Sequence, residues 1–159
     1  MFREMFHALT LAAVFALASD PWVVLDEVSP VDGRRTYIAG VEAQAPVPND
    51  AGRPEMPMLA FGCVDQRLSV TITWPAYLGR DEVRVEWRAG SGEPTKTVFQ
   101  AVGGEVAMLQ DHAADRFMDQ VRGADRVAVR VTGYRQQSEA VFMIPGAAER
   151  IDRAREVCT

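Results

Sequence analysis

Residues 67–74 read RLSVTITW, and residues 82–88 read EVRVEWR. In the first stretch Val70, Ile72 and Trp74 alternate with Ser69, Thr71 and Thr73. In the second, Val83, Val85 and Trp87 alternate with Arg84, Glu86 and Arg88. A period of two with one apolar face is the pattern of a half-buried strand in an antiparallel sheet. Strands buried on both faces of a parallel sheet would lack the polar positions.

The same reading extends outward. Strands are expected over 22–28, over 36–43 with Tyr37, Ala39 and Val41 on one face, and over 58–63. They are also expected over 95–102, over 126–132 with Val127, Val129 and Val131 inward, and over 138–144. Asp65-Gln66 separates one pair of strands, and Ser29-Pro30-Val31-Asp32-Gly33 is turn chemistry. Residues 45–57, APVPNDAGRPEMP, form a proline-rich loop within the domain. Two helices interrupt the strands. Asp111 is placed as an N-cap, and Ala114, Phe117, Met118 and Val121 make one apolar stripe over about 112–122, with Gly123 placed to end it. In the last helix, 147–157, Ala147, Ile151, Ala154 and Cys158 share a face. The fold expected is α+β: an antiparallel sheet or sandwich of about eight strands with two short helices.

Residues 1–18 stand apart. A short polar start carrying Arg3 and Glu4 leads into ALTLAAVFALA (8–18), which ends in a small-x-small pattern. This is the form of a secretory signal peptide cut after Ala18, leaving 19–159 as a single domain. The run falls short of the roughly 20 apolar residues that span a bilayer. The alternative is a buried N-terminal helix. At 159 residues the chain has room for one domain. The formal net charge of −5 lacks the basic face that nucleic-acid binding needs.

The two cysteines, Cys63 and Cys158, fit an oxidising compartment, where a bridge between them would tie the C-terminus to the core. Two separate buried thiols, or a zinc site completed by His112, are the alternatives. Beyond the leader His112 is the only histidine, and it sits at a helix start rather than beside a serine elbow. Gly103-Gly104 is a lone glycine pair with no phosphate-loop lysine after it. Carboxylates such as Asp81, Glu82, Asp111 and Asp115 show no spacing that marks a glycosidase pair. No catalytic residue, cofactor or metal is assigned. Trp74 and Trp87 continue apolar faces and are read as core. Trp22 and Tyr77 are the freer aromatics, and the arginine-rich outer face includes Arg84 and Arg88. These four residues, Trp22, Tyr77, Arg84 and Arg88, are the candidate partner-binding positions.

The order of short motifs resembles one family. Trp22 after the leader is followed by Ser29-Pro30-Val31-Asp32-Gly33-Arg34, then by Cys63 and Trp74-Pro75-Ala76-Tyr77-Leu78. Next come Val85-Glu86-Trp87-Arg88 and Ala140-Val141-Phe142-Met143-Ile144-Pro145-Gly146, and last Arg155-Glu156-Val157-Cys158. Over roughly 22–158 the chain is similar to the type VI secretion-associated VasI/TagO family of small exported proteins. Gly90 stands where that family often has an aspartate, and Val98-Phe99 where it often has a tryptophan. The resemblance implies a periplasmic, non-catalytic accessory protein that binds an envelope or secretion-apparatus protein. The alternative expectation is a secreted inhibitor of a lysozyme-type or other hydrolase. A carboxylate-using envelope hydrolase is the third.

Overall fold

The computed structural model describes residues 19–159; the leader expected over 1–18 lies outside the described residues. Eleven strands and two helices follow in order: β1 (Val23–Val28), β2 (Arg35–Glu42), β3 (Val47–Pro48), β4 (Pro54–Glu55), β5 (Met58–Val64), β6 (Arg67–Thr73), β7 (Glu82–Ala89), β8 (Thr95–Val102), β9 (Val106–Gln110), α1 (Asp111–Val121), β10 (Arg126–Thr132), β11 (Gln137–Met143) and α2 (Ala147–Val157). The fold is α+β. Nine strands form one antiparallel sheet in the order β1-β2-β5-β6-β9-β8-β7-β10-β11, while β3 and β4 pair as a small separate hairpin.

All eight expected strands are present. The ninth, β9, escapes the period-two reading because only Ala107 and Leu109 turn inward, and the residues between them, Val106 and Met108, are also apolar. Gly103-Gly104 is the turn that joins it to β8, with φ of 62° and 82°. The backbone angle favours glycine at 104, and a Cβ there would also come within 2.9 Å of the Tyr77 ring and push it aside. The proline-rich segment also carries more structure than a loop, since it folds back on itself through β3 and β4.

The long sheet curls until β11 meets the continuation of β2. Ala43 bridges Phe142, the Gln44 N–H donates to the Val141 carbonyl at 2.8 Å, and the Gln136 side-chain amide donates to the Pro48 carbonyl at 3.2 Å. Residues 43–48 therefore run beside β11 and close β2 onto it. Inward side chains from every long strand except β1 meet in one core. Trp74 spans that interior from the end of β6, its indole N–H donating to the Ser138 hydroxyl on β11 at 3.0 Å. Phe117 of α1 fills the middle, with ring centroids 4.6 Å from Trp87, 6.0 Å from Phe99 and 6.5 Å from Phe61.

Both helices plug the same end of the barrel. α1 leaves β9 without a linker, and Asp111 makes the sharp start with a left-handed φ of 51°. Its side chain does not cap the helix. The N-cap position is Gln110, and the Asp111 carboxylate instead accepts from Arg67 at 2.6 and 3.0 Å. α2 packs on β2 and β5 and is fastened on three sides. The Cys63–Cys158 disulfide joins its end to β5. Arg122 pairs with Asp152 at 2.6 Å, and Arg155 with Asp115 and Asp119, tying it to α1. Arg153 pairs with Asp26 and Arg150 with Asp20, tying it to the N-terminal strand region.

These clamps carry an acid signature. The guanidinium of Arg153 holds the Asp26 carboxyl below its ordinary value, Arg122 does the same for Asp152, and Arg67 for Asp111. A carboxyl whose folded value is depressed contributes stability above its unfolded value and loses it as pH falls through the lower folded value. The urea midpoint is therefore expected to hold from neutral pH down toward 3.8, the ordinary carboxylate value, and to fall below it. Because the groups lie at the surface, each contribution is small and salt-sensitive. The same titration on Asp152→Asn should show a shallower acid slope. An unchanged slope would remove the helix–helix pair from the account.

Candidate functional site

β9 begins at the glycine turn near Tyr77 and runs toward α1, so the helices and the disulfide occupy one end of the barrel and four loops form the other. The first loop follows β6. There Trp74, Ala76 and Leu78 are buried in alternation, which turns Tyr77 outward at 38% exposure. It is pinned to the β8–β9 turn by Trp74 N–H to the Glu105 carbonyl and Leu78 N–H to the Gly104 carbonyl, both 2.7 Å. The second loop is the β10–β11 turn. Its Tyr134 is 73% exposed and donates its N–H to the Tyr77 carbonyl at 3.2 Å. The third is the β3–β4 hairpin. The Asn49 side-chain carbonyl accepts from the Ala51 and Arg53 N–H groups at 2.9 Å and shapes that turn, and the neighbouring Asp50 carboxylate accepts the Tyr77 N–H at 3.0 Å. The glycine turn itself is the fourth.

Between these loops lies an open cleft of about 660 Å³ lined by Asp50, Tyr77, Gly79, Arg80, Tyr134 and Arg135. The tyrosine rings meet edge to face, 5.9 Å apart with 72° between their planes. This is the favoured geometry for two aromatic quadrupoles, and it leaves ring surface toward solvent. Among the described residues no ion pair uses Arg80 or Arg135. Two guanidiniums without carboxylate partners beside two rings make a site with fork-shaped donors for an anion and flat faces for an apolar or planar group. Asp50, already engaged by a backbone N–H, orders the loop.

The structure sorts the sequence-derived positions. Tyr77 lies in the cleft. Trp22 does not. It is 8% exposed, its indole N–H donates to the Pro145 carbonyl at 2.7 Å, and its ring lies 6.0 Å from that of Phe61. It precedes β1 and sits in the core between Pro145 and Phe61, a placement its terminal position in the sequence conceals. Arg84 and Arg88 are exposed on β7, outside the cleft lining. They flank Glu86, which joins Arg130, and Arg130 is held chiefly by Glu139 at 2.7 Å. Arg84 pairs in register with Thr132, next to the Gly133–Tyr134 turn, whereas Arg88 pairs with Ala128 farther along. Trp74 and Trp87 are buried.

Sequence reading missed Arg80, Tyr134 and Arg135. A bulky aromatic beside arginine in the turn between two alternating strands is the signal that could have found them. His112 is exposed on the first turn of α1, at the far end of the barrel from the cleft. Among the described residues no group of three or more His, Cys, Asp and Glu side chains could hold a metal. No helix among them is long and apolar enough to cross a membrane. No family model, curated protein or solved structure matches this chain.

Proposed function

We propose that this chain is an exported, periplasmic, non-catalytic accessory protein that binds an envelope or secretion-apparatus protein through the Tyr77–Tyr134 cleft. The observation that carries the reading is the cleft itself: two exposed tyrosines and two guanidiniums with no ion-pair partner among the described residues, presented on loops of a barrel whose C-terminal helix is fastened by a disulfide. Tyrosine and arginine are the side chains that most often dominate binding energy at protein interfaces. Loops held by a rigid scaffold are where such sites are usually built. The charge pattern selects the partner's chemistry, an exposed acidic segment carrying an apolar or aromatic side chain. The disulfide supports an oxidising compartment, and the leader-like residues 8–18 support export.

The test is retention of envelope proteins on the immobilised, oxidised chain. Loss of two hot-spot tyrosines typically costs at least about 2 kcal/mol, roughly thirtyfold in affinity. The Tyr77→Ala/Tyr134→Ala column is therefore expected to lose the partner that the parent column retains, while His112→Ala keeps it. Equal retention by the parent and the double variant would remove the cleft from the reading. A retained lysozyme-type enzyme, inhibited one to one, would replace the accessory role with an inhibitory one.

A further inference from the structure

β1 is the one long strand that contributes no side chain to the core. All six of its residues are exposed, including Val23 at 67% and Leu25 at 40%. It pairs with β2 along one edge only, and among the described residues no strand lies along the other. The opposite end of the sheet is treated differently, for residues 43–48 cover β11. Exposed edge strands are normally blunted by charged side chains (lysine above all), proline or a bulge, because an open row of N–H and C=O groups templates pairing with another chain; here the charges are Asp26 and Glu27. The sequence VVLDEV contains neither lysine nor proline, and its register with β2 is unbroken from Val23↔Gly40 to Val28↔Arg35.

The direction of the open groups follows from the ladder. The Ser29 N–H donates to the Arg34 carbonyl at 2.8 Å. Because bonded and non-bonded pairs alternate in an antiparallel ladder, Glu27, Leu25 and Val23 bond toward β2. The N–H and C=O groups of Val28, Asp26 and Val24 then face outward. Of the self-symmetric registers an antiparallel strand can take on that row, two keep five of the six strand residues paired. One centres on Asp26 and sets two carboxylates opposite each other, which is unfavourable. The other centres on Leu25. It sets Leu25 against its own copy, Val24 against Asp26 and Val23 against Glu27, with no acid facing an acid. Asp26 already has cationic partners in Arg35 and Arg153, at 3.3 and 3.0 Å, so its charge is compensated within its own chain.

From this self-complementary register we infer that β1 is the docking edge for a second copy of this chain, giving a two-fold dimer through antiparallel β1–β1 pairing centred on Leu25. The dimer buries the exposed Leu25 side chain against its symmetry mate and Val23 against the stem of Glu27 of the second copy, and it joins the two sheets into one. It uses no residue of the Tyr77–Tyr134 cleft, so the two surfaces are independent.

Sedimentation of the chain expressed from Met1 tests it. A two-chain species is expected at high micromolar concentration. Leu25→Lys, which brings two ammonium groups together at the two-fold, is expected to leave a monomer. Val24→Pro should do the same by removing an outward N–H while leaving the bonds to β2 in place. Tyr77→Ala/Tyr134→Ala should leave the dimer unchanged. In Leu25→Cys the facing Cα atoms of a non-bonded pair lie about 4.5 Å apart, within disulfide reach, so a covalent dimer is expected on mild oxidation. A monomeric parent chain overturns the inference, whatever other strand the edge then accepts. So does a dimer that survives both Leu25→Lys and Val24→Pro in variants whose circular dichroism matches the parent.

Discussion

Reduction of the Cys63–Cys158 bridge is expected to lower the unfolding free energy by about 2–4 kcal/mol, a large fraction of what holds a domain of this size folded. The bridge closes a loop of 95 residues with Cα atoms 5.6 Å apart. For a loop that long the chain-entropy model gives about 4–5 kcal/mol, and measured bridges usually deliver less. The structure adds a native-state reason. Cys63 is fully buried on β5, facing Leu68 in register, and Cys158 is the last anchor of α2. Without the bridge, α2 is left with Ala147, Ile151 and Ala154 as its buried face and with surface ion pairs to α1 and β1. Surface pairs of that kind are each worth about 0–1 kcal/mol. Urea titrations of the oxidised and reduced chain measure the difference directly, and Cys158→Ala separates it from any effect of the reductant. A loss under about 1 kcal/mol would mean that the buried face of α2 holds it without the bridge. The expected loss also bears on compartment, because a fold that leans on this bridge is at its best only where thiols oxidise.

How much could be read from residues alone depends on the range over which each signal acts. Alternation is local, so Val70-Thr71-Ile72 and Val83-Arg84-Val85 announce strands without help from the rest of the chain. Trp74 and Trp87 inherit their burial from the same alternation. The disulfide was also legible, because two cysteines leave one intramolecular pairing. β9 was lost because Val106 and Met108 blur the period. The closure of the barrel was lost because residues 43–48 pair with β11 across about a hundred residues of sequence, and nothing in APVPND encodes that partner. Trp22 shows the limit most plainly. Its position next to the expected leader reads as terminal and free, yet Pro145 and Phe61 bury it. The cleft was half legible for the same reason. Tyr77 is turned outward by its own alternating neighbours, but Asp50, Arg80, Tyr134 and Arg135 reach it only through the arrangement of separate loops.

The second large effect is expected at the centre of the barrel. Phe117→Ala removes the ring that Phe61, Trp87 and Phe99 surround, and truncating a buried phenylalanine costs about 3–5 kcal/mol. The upper part of that range fits this site. Three strands and a closed sheet frame the ring, so the walls have little freedom to collapse into the space it leaves, and the edge-to-face contact with Phe99 is lost along with buried area. Phe117→Leu keeps most of the volume and should cost less than half as much. Trp87 reports on the site, since its ring lies 4.6 Å from Phe117 and its indole N–H is held by the Thr97 hydroxyl at 3.0 Å. Its near-ultraviolet signal should therefore weaken in Phe117→Ala even where the chain remains folded. A loss under about 2 kcal/mol would show that α1 covers the sheet without filling it. The two large effects are also expected to couple. Phe61 touches Phe117 and lies two residues from Cys63 on β5, so α1 and the bridge that anchors α2 are held by the same strand. Neighbouring sites of this kind depart from additivity by about 0.5–3 kcal/mol. Reducing Phe117→Ala should therefore cost less than the sum of the separate changes, because a β5 already loosened at Phe61 has less native structure left for the bridge to hold.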